Sequence, residues 1–253
     1  NDMDLGLKGK KAMVTGGTRG IGRAIAEQLA KEGADVAVCA RNEDEVVEAV
    51  AALEGMGVKS TGASVDVADA VALKGWIKNA AGVLGGLDIL VPNVSAMAGN
   101  TEADWRRAFE IDIMGTINTI DAALPFLEQS DAGAVVVINS IAALYFGSVR
   151  SYSTVKAALI NHISNLAHAH APKGLRFNSV SPGTIYFEGG VWHQREREMP
   201  DVYKAAFDGN PMGRMGTPQE VANAAVFLAS PMASFISGTN LLVDGARTPS
   251  VQY

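Results

Sequence analysis

Short apolar runs alternate along the chain with longer segments in which apolar residues recur at helical spacing. The runs Lys11–Thr15, Val36–Ala40, Ser60–Val65, Leu87–Val91, Ala134–Asn139, Arg176–Val180 and Asn240–Val243 are the strand candidates. Between them lie helical patterns with recognisable ends. The amphipathic run Ile21–Glu32 stops at Gly33, where a helix C-cap is expected. Asn42 and Glu45 form an N-cap pair for the next helix. Thr217 and Glu220 make a capping box, with Pro218 at the first helical position. Ser151–Ala169 has helical composition, and Thr101–Leu127 reads as a long helix interrupted by Pro125. Strand then helix, repeated, predicts βαβ units and a mostly parallel sheet of about seven strands with helices on both faces, an α/β doubly wound, Rossmann-like fold. One stretch breaks the alternation. Residues 186–213 contain no clean strand, and a long irregular insertion of this kind is expected to be a lid over a binding site rather than a solvated surface helix.

Composition narrows the picture. The chain's 253 residues show no Ser/Pro-rich linker, low-complexity tract or fixed repeat, so one domain over 1–253 is expected. No apolar stretch reaches the roughly eighteen residues of a membrane span, and Asn1 to Lys10 lack the apolar core of a secretory signal. The single cysteine, Cys39, lies in a strand run, which favours a reducing, cytoplasmic setting. A net charge of −6 without a basic stripe argues against nucleic-acid binding. The four histidines show no metal-ligand spacing, so no metal is expected.

Candidate chemistry begins at the first strand–helix junction. The turn from Thr15 to Gly22 carries Gly16, Gly20 and Gly22, and would aim the free N–H groups of the following helix at a pyrophosphate. Thr18, Arg19 and Ile21 belong to the same turn. After the second strand, where an acidic residue would select NAD(H), the chain has Ala40 and then Arg41. Arg19 and Arg41 together suit a 2′-phosphate and leave no carboxylate to repel it, which favours NADP(H) over NAD(H). Asp66, after the third strand, reaches for an adenine amino group or caps a turn.

Tyr152 and Lys156 are four residues apart on a predicted helix and share one face. A phenol alone exchanges protons poorly at neutral pH, and an adjacent ammonium favours its phenolate form. Ser140, at the carboxyl end of the fifth strand, offers a hydroxyl to a substrate oxygen.

Together these segments resemble the classical short-chain dehydrogenases/reductases, in particular members like the 3-oxoacyl carrier-protein reductases. The resemblance rests on residues 15–22, Asp66-Val67, residues 88–93, Ser140, Tyr152 with Lys156, residues 176–183, Ser237-Gly238 and residues 243–245, in the family's order over nearly the whole chain. It implies hydride transfer between a nicotinamide and a carbonyl or secondary alcohol, with Tyr152 as general acid/base. It also implies that Lys156 contacts the nicotinamide ribose, that Val67 and Asn93 line the cofactor cleft, and that Pro182, Gly183 and Ile185 hold the nicotinamide. A homotetramer, or a homodimer, follows from the same resemblance. The chain departs from the family at Asp112, where an active-site Asn stands, and at Pro92–Ser95, which keep only Asn93 of an Asn-Asn-Ala-Gly stretch. Ser140 to Tyr152 is one residue short of the family spacing, and Tyr186 and Phe187 replace a common Thr or Ser. Met97, Tyr145, Phe146, Phe187 and Trp192 are candidates for an apolar pocket, suiting a small ketone or alcohol of apolar character, although core packing is the default for each. Two other readings stay open: an NAD(H)-dependent alcohol dehydrogenase, and a dinucleotide-sensing binding protein with degraded catalysis.

Overall fold

The seven predicted runs all enter one sheet. A computed structural model of the protein describes residues 4–144 and 150–249. Its strands are β1 (Lys11–Thr15), β2 (Asp35–Ala40), β3 (Ser60–Ser64), β4 (Ile89–Val91), β5 (Ala134–Ile138), β6 (Arg176–Pro182) and β7 (Asn240–Val243). All pair in parallel, in the order β3-β2-β1-β4-β5-β6-β7. The order reverses between β1 and β4, so the carboxyl ends of those strands open the crevice in which such folds place ligands. The helices are α1 (Gly20–Lys31), α2 (Glu43–Glu54), α3 (Ala70–Leu84), α4 (Glu102–Ala108), α5 (Gly115–Leu127), α6 (Ser151–His170), α7 (Val191–Glu198), α8 (Pro200–Asp208) and α9 (Pro218–Ala229).

Strand periodicity sorts the core into two layers. Val14, Val136 and Ile138 face Ile25 and Leu29 of α1 and Val221 and Val226 of α9. Met13, Val135 and Val137 face Ile77 of α3, Ile120 of α5 and Ile163 of α6. Neighbouring residues of one strand thus point into opposite layers, which is why the central strands are apolar at nearly every position. Cys39 lies in the second layer, where burial pushes its thiol up to about 12 and leaves it unreactive.

Two long segments differ from expectation. Residues 101–127 do form one helical rod, but α4 and α5 are joined by a π-helical turn, Phe109–Met114, and Pro125 lies inside α5 without ending it. Residues 186–213, read as irregular, contain α7 and α8. Neither buries an apolar stripe: α7 has no buried residue and α8 only Ala206, so the helical period was hidden by solvated side chains.

The capping box of α9 is formed as expected, with Thr217 and Glu220 bonded reciprocally. The Arg214 guanidinium and the Thr217 N–H hold the Glu220 carboxyl down at about 2, against a usual 4.5. A depressed carboxyl contributes stability that is complete above the unfolded value and is lost as pH falls through the folded one. Glu220→Gln is therefore expected to destabilise by about 0.5–1 kcal/mol near neutrality, since the group is partly screened by solvent. In urea titrations the difference from the parent should narrow between pH 5 and pH 2. A pH-independent difference would show that capping geometry, not charge, is responsible. At the other end of α9, Arg176 of β6 donates to the carbonyls of Leu228, Ala229 and Ser230 at 2.6, 3.2 and 3.0 Å. A buried guanidinium there satisfies orphan carbonyls and complements the helix dipole.

Candidate active site

β1 ends at Thr15 and α1 begins at Gly20, with the Arg19 side chain making no cap bond, so the first N–H groups of α1 have no side-chain acceptor. A Cβ on Gly22 would stand 2.1 Å from the Gly16 carbonyl oxygen; only glycine lets α1 come this close to the turn. Asn93, at the end of β4, donates its amide to the carbonyls of Thr15 and Gly16 at 3.1 and 3.2 Å. Its N–H donates to the Thr15 hydroxyl at 3.0 Å. Asn93 therefore fastens the glycine turn to the neighbouring strand.

The Thr18 hydroxyl donates to Glu45 of α2 at 2.9 Å. This corrects the expectation that no carboxylate stands by the turn: the N-cap pair places Glu45 on the first turn of α2, where it also reaches back to β1's loop. Arg19 and Arg41 are exposed, and neither forms an ion pair among the described residues. The Arg41 carbonyl accepts from Ser64, which fixes its backbone at the end of β2. Asp66 caps its own turn, accepting from Ala68 N–H at 3.0 Å, while Val67 beside it is buried against Gly115. The turn-capping alternative for Asp66 is the bond that forms.

The second cluster lies at the carboxyl end of β5. Asn139 follows the strand and donates to the Lys156 carbonyl at 3.1 Å, so the strand end and α6 are joined. Ser140 is nearly buried; its hydroxyl accepts from Ala142 N–H at 3.1 Å and stays one residue from that joint. Tyr152 and Lys156 occupy successive turns of α6, with the Lys156 ammonium 5.8 Å from the centre of the Tyr152 ring. Lys156 is only 2% exposed. Its Nζ lies 3.2 Å from Asp112 Oδ1 and 3.4 Å from the Ile138 carbonyl oxygen. Asp112 is fully buried, and its Oδ2 accepts from Ala96 N–H at 3.0 Å. The contact of Oδ1 with the ammonium is one of charge, without hydrogen-bond alignment. Asp112 reaches Lys156 from the π-helical turn, a distortion that recurs at functional sites.

Pro182 ends β6, Gly183 N–H donates to Val243 of β7, and Ile185 pairs with Gly216 in an isolated bridge. The chain then turns across the glycine loop. A Cβ on Gly20 would stand 2.5 Å from the Phe187 ring, so Phe187 packs on the glycine turn rather than in the core. Trp192 lies beneath Arg195, Met97 is half exposed, and Tyr145 and Phe146 fall outside the described residues. Sequence reasoning gave Arg150, Arg195 and Glu45 no role at the site. Only the position of Arg150, two residues before Tyr152, was a signal.

The residues present fit an anionic dinucleotide at the β1–α1 turn and a proton-transfer group at the end of β5. The uncapped α1 N-terminus and the close approach at Gly22 are the observations that carry the first part.

Comparison with known proteins agrees. A family model described as enoyl-(acyl carrier protein) reductase matches residues 16–247. The chain is 40% identical over 256 residues to isoepoxydon dehydrogenase of Aspergillus clavatus, covering 98% of each. Among solved structures, L-sorbose reductase of Gluconobacter frateurii, complexed with NADPH and L-sorbose, superposes with a TM-score of 0.91 at 30% identity, covering 98% of this chain and all of that one. A 7α-hydroxysteroid dehydrogenase complexed with NADH and 7-oxo glycochenodeoxycholic acid superposes at 0.90 with 31% identity, covering 98% of each. With a matched model over most of its length, a seven-stranded parallel sheet and these relatives, the chain belongs to the classical short-chain dehydrogenase/reductase family, oxidoreductases of alcohol and carbonyl substrates.

Proposed function

We propose that the protein transfers a hydride between NADP(H) and a small ketone or secondary alcohol of apolar character, with Tyr152 moving the proton at the substrate oxygen. The observation that carries this reading is the buried Lys156, held against the Tyr152 ring, the Ile138 carbonyl and Asp112 at the carboxyl end of β5. When bound, the dinucleotide supplies or accepts the hydride at C4 of its nicotinamide. In the reducing direction the Tyr152 hydroxyl gives its proton to the substrate oxygen as the carbon receives the hydride; oxidation runs both transfers in reverse. Ser140 donates a hydrogen bond to the same oxygen and orients it. Lys156 holds the nicotinamide ribose beside Tyr152, and Asp112 keeps the ammonium in place. Gly16, Thr18, Gly20, Ile21 and Gly22 hold the pyrophosphate, with Asn93 as their brace. Asp66 and Val67 border the adenine, and Pro182, Gly183 and Ile185 border the nicotinamide.

The two uncompensated cations Arg19 and Arg41 support NADP(H) as the cofactor. Fluorescence titration with NADPH and NADH tests this. Tighter NADPH binding is expected, and Arg41→Asp should weaken it by about 10- to 100-fold while NADH changes little. Unaltered NADPH affinity in that variant would overturn the assignment. Glu45 on Thr18 is the observation that favours the second reading, an NAD(H)-dependent alcohol dehydrogenase. Equal or tighter NADH binding would decide for it.

In the same reading, residues 1–253 act as one domain and 186–213, with α7 and α8, serve as the substrate lid. Trp105 and Phe109, four residues apart and both partly exposed on the α4 rod, suit a helix-mediated homotetramer or homodimer in the cytoplasm. Among the described residues no helix is long and apolar enough to cross a membrane.

A further inference from the structure

An acidic residue three places after a helix N-cap ordinarily reaches back to the N–H of the cap residue. Asp104 does so at the start of α4, accepting from Thr101 N–H at 3.0 Å, and Glu220 at the start of α9, accepting from Thr217 N–H at 2.8 Å. Glu45 holds the same position after Asn42 but turns elsewhere. The Asn42 side chain accepts from the N–H groups of Asp44 and Glu45, yet among the described residues there is no return bond from Asn42 N–H to Glu45. The Glu45 carboxylate crosses instead to the glycine turn. Its Oε2 accepts from the Thr18 hydroxyl at 2.9 Å, and its Oε1 lies 3.5 Å from the Asn42 amide. A local cap bond is given up for a contact between residues 27 positions apart.

The setting gives that exchange a meaning. Thr18 belongs to the turn between β1 and α1, and Asn42 follows Arg41 at the end of β2. Dinucleotide-binding folds read the 2′-position of the adenosine ribose here, with an acid for a hydroxyl and an arginine for a phosphate. The end of β2 offers no acid, since Ala40 and Arg41 stand there. Glu45 brings one to the facing turn from α2. It is half-buried, and among the described residues it forms no ion pair, so neither Arg19 nor Arg41 neutralises it. Thr18 is nearly buried and its proton is engaged by Glu45, so while that bond stands the hydroxyl has no donor for a phosphate.

Building on the hydride-transfer reading above, we infer that Glu45 is a selectivity-determining residue for the cofactor. Its carboxylate accepts from the ribose 2′-hydroxyl of NAD(H) and repels the 2′-phosphate of NADP(H). Arg19 and Arg41 act in the opposite sense. The preference for NADPH is then the surplus of two exposed cations over one anchored carboxylate, and is smaller than the arginines alone would give.

The test titrates the parent and Glu45→Gln with NADPH and NADH, and with 2′,5′-ADP and 5′-AMP as competitors that differ only in the 2′-phosphate. Glutamine keeps an oxygen for the Thr18 hydroxyl and removes the charge. NADPH and 2′,5′-ADP are expected to bind the variant about 3- to 10-fold more tightly, with the gain shrinking as salt is added. NADH and 5′-AMP should bind it about 2- to 5-fold more weakly. Melting curves matching the parent's establish that the variants are folded. A role confined to bracing the turn predicts a different pattern, in which Glu45→Ala weakens both cofactors together and Glu45→Gln changes neither. That pattern, or equal shifts for NADPH and NADH in Glu45→Gln, would overturn the selectivity role and leave the hydride-transfer reading standing. A parent that binds neither cofactor would overturn the two together.

Discussion

Tyr152→Phe is expected to lower kcat by about 10²- to 10⁴-fold while leaving the melting temperature close to that of the parent. The substitution keeps the ring, and with it the surface that the Lys156 ammonium faces at 5.8 Å. What it removes is the phenolic O–H, one turn of α6 from the buried cation. Hydride arriving at a carbonyl carbon leaves an alkoxide unless a proton is delivered at the same time, so the barrier rises even with substrate and cofactor correctly placed. The change should appear in kcat and in kcat/KM alike, as for an interaction made only in the transition state. Single-turnover measurements with the best ketone found separate this chemistry from product release. A single-turnover rate unchanged from the parent would mean that another group, such as Ser140 or a water, supplies the proton.

The strands and the glycine turn were legible because their signals are local. A strand buried on both faces must be apolar throughout, as Val135–Ile138 are, and the turn at Gly22 excludes any side chain. The capping box at Thr217 is similarly written in four residues. Other features depend on what the chain meets in three dimensions. The π-helical turn inserts its extra residue without altering residue types, so nothing in 109–114 marks it, although it decides that Asp112 reaches Lys156. α7 lacks an apolar stripe, and α8, whose Tyr203, Ala206 and Phe207 recur at helical spacing, is short and buries only Ala206; both were read as irregular. Several motif residues turned out to hold the scaffold. Asp88 accepts from Lys11 N–H and the Ser130 hydroxyl, Arg176 caps α9, and Asn178 joins β6 to the Ile236 carbonyl and Thr239 N–H. A spacing identifies such residues, while the partners that explain them lie some forty to eighty positions away.

Asp112→Ala is expected to destabilise the protein by about 3–5 kcal/mol, the largest effect on stability among the substitutions considered. The reason lies in the pair it breaks. Lys156 is 2% exposed and Asp112 fully buried, so neither charge is solvated, and each is balanced mainly by the other. Removing the carboxylate leaves an ammonium whose remaining contact is a 3.4 Å approach to the Ile138 carbonyl, and frees the Ala96 N–H as well. Asp112→Asn keeps an acceptor for Ala96 and a dipole beside Lys156, so its cost should be well below that of alanine. The pair as a whole need not stabilise the fold. Taking two ions out of water costs about as much as their attraction returns, and an apolar pair of similar volume does as well or better. The double variant Asp112→Leu/Lys156→Met is therefore expected to regain most of the stability lost in Asp112→Ala while abolishing turnover. Urea unfolding of the double variant and of its two single changes, Asp112→Leu and Lys156→Met, measures the coupling directly. If the double variant were instead as unstable as the sum of its single changes, Asp112 and Lys156 would be acting through separate partners. The ion pair would then be no more than a near approach. A recovered fold with a silent site would show that this buried charge pair is retained for the proton chemistry at Tyr152, at no benefit to the fold.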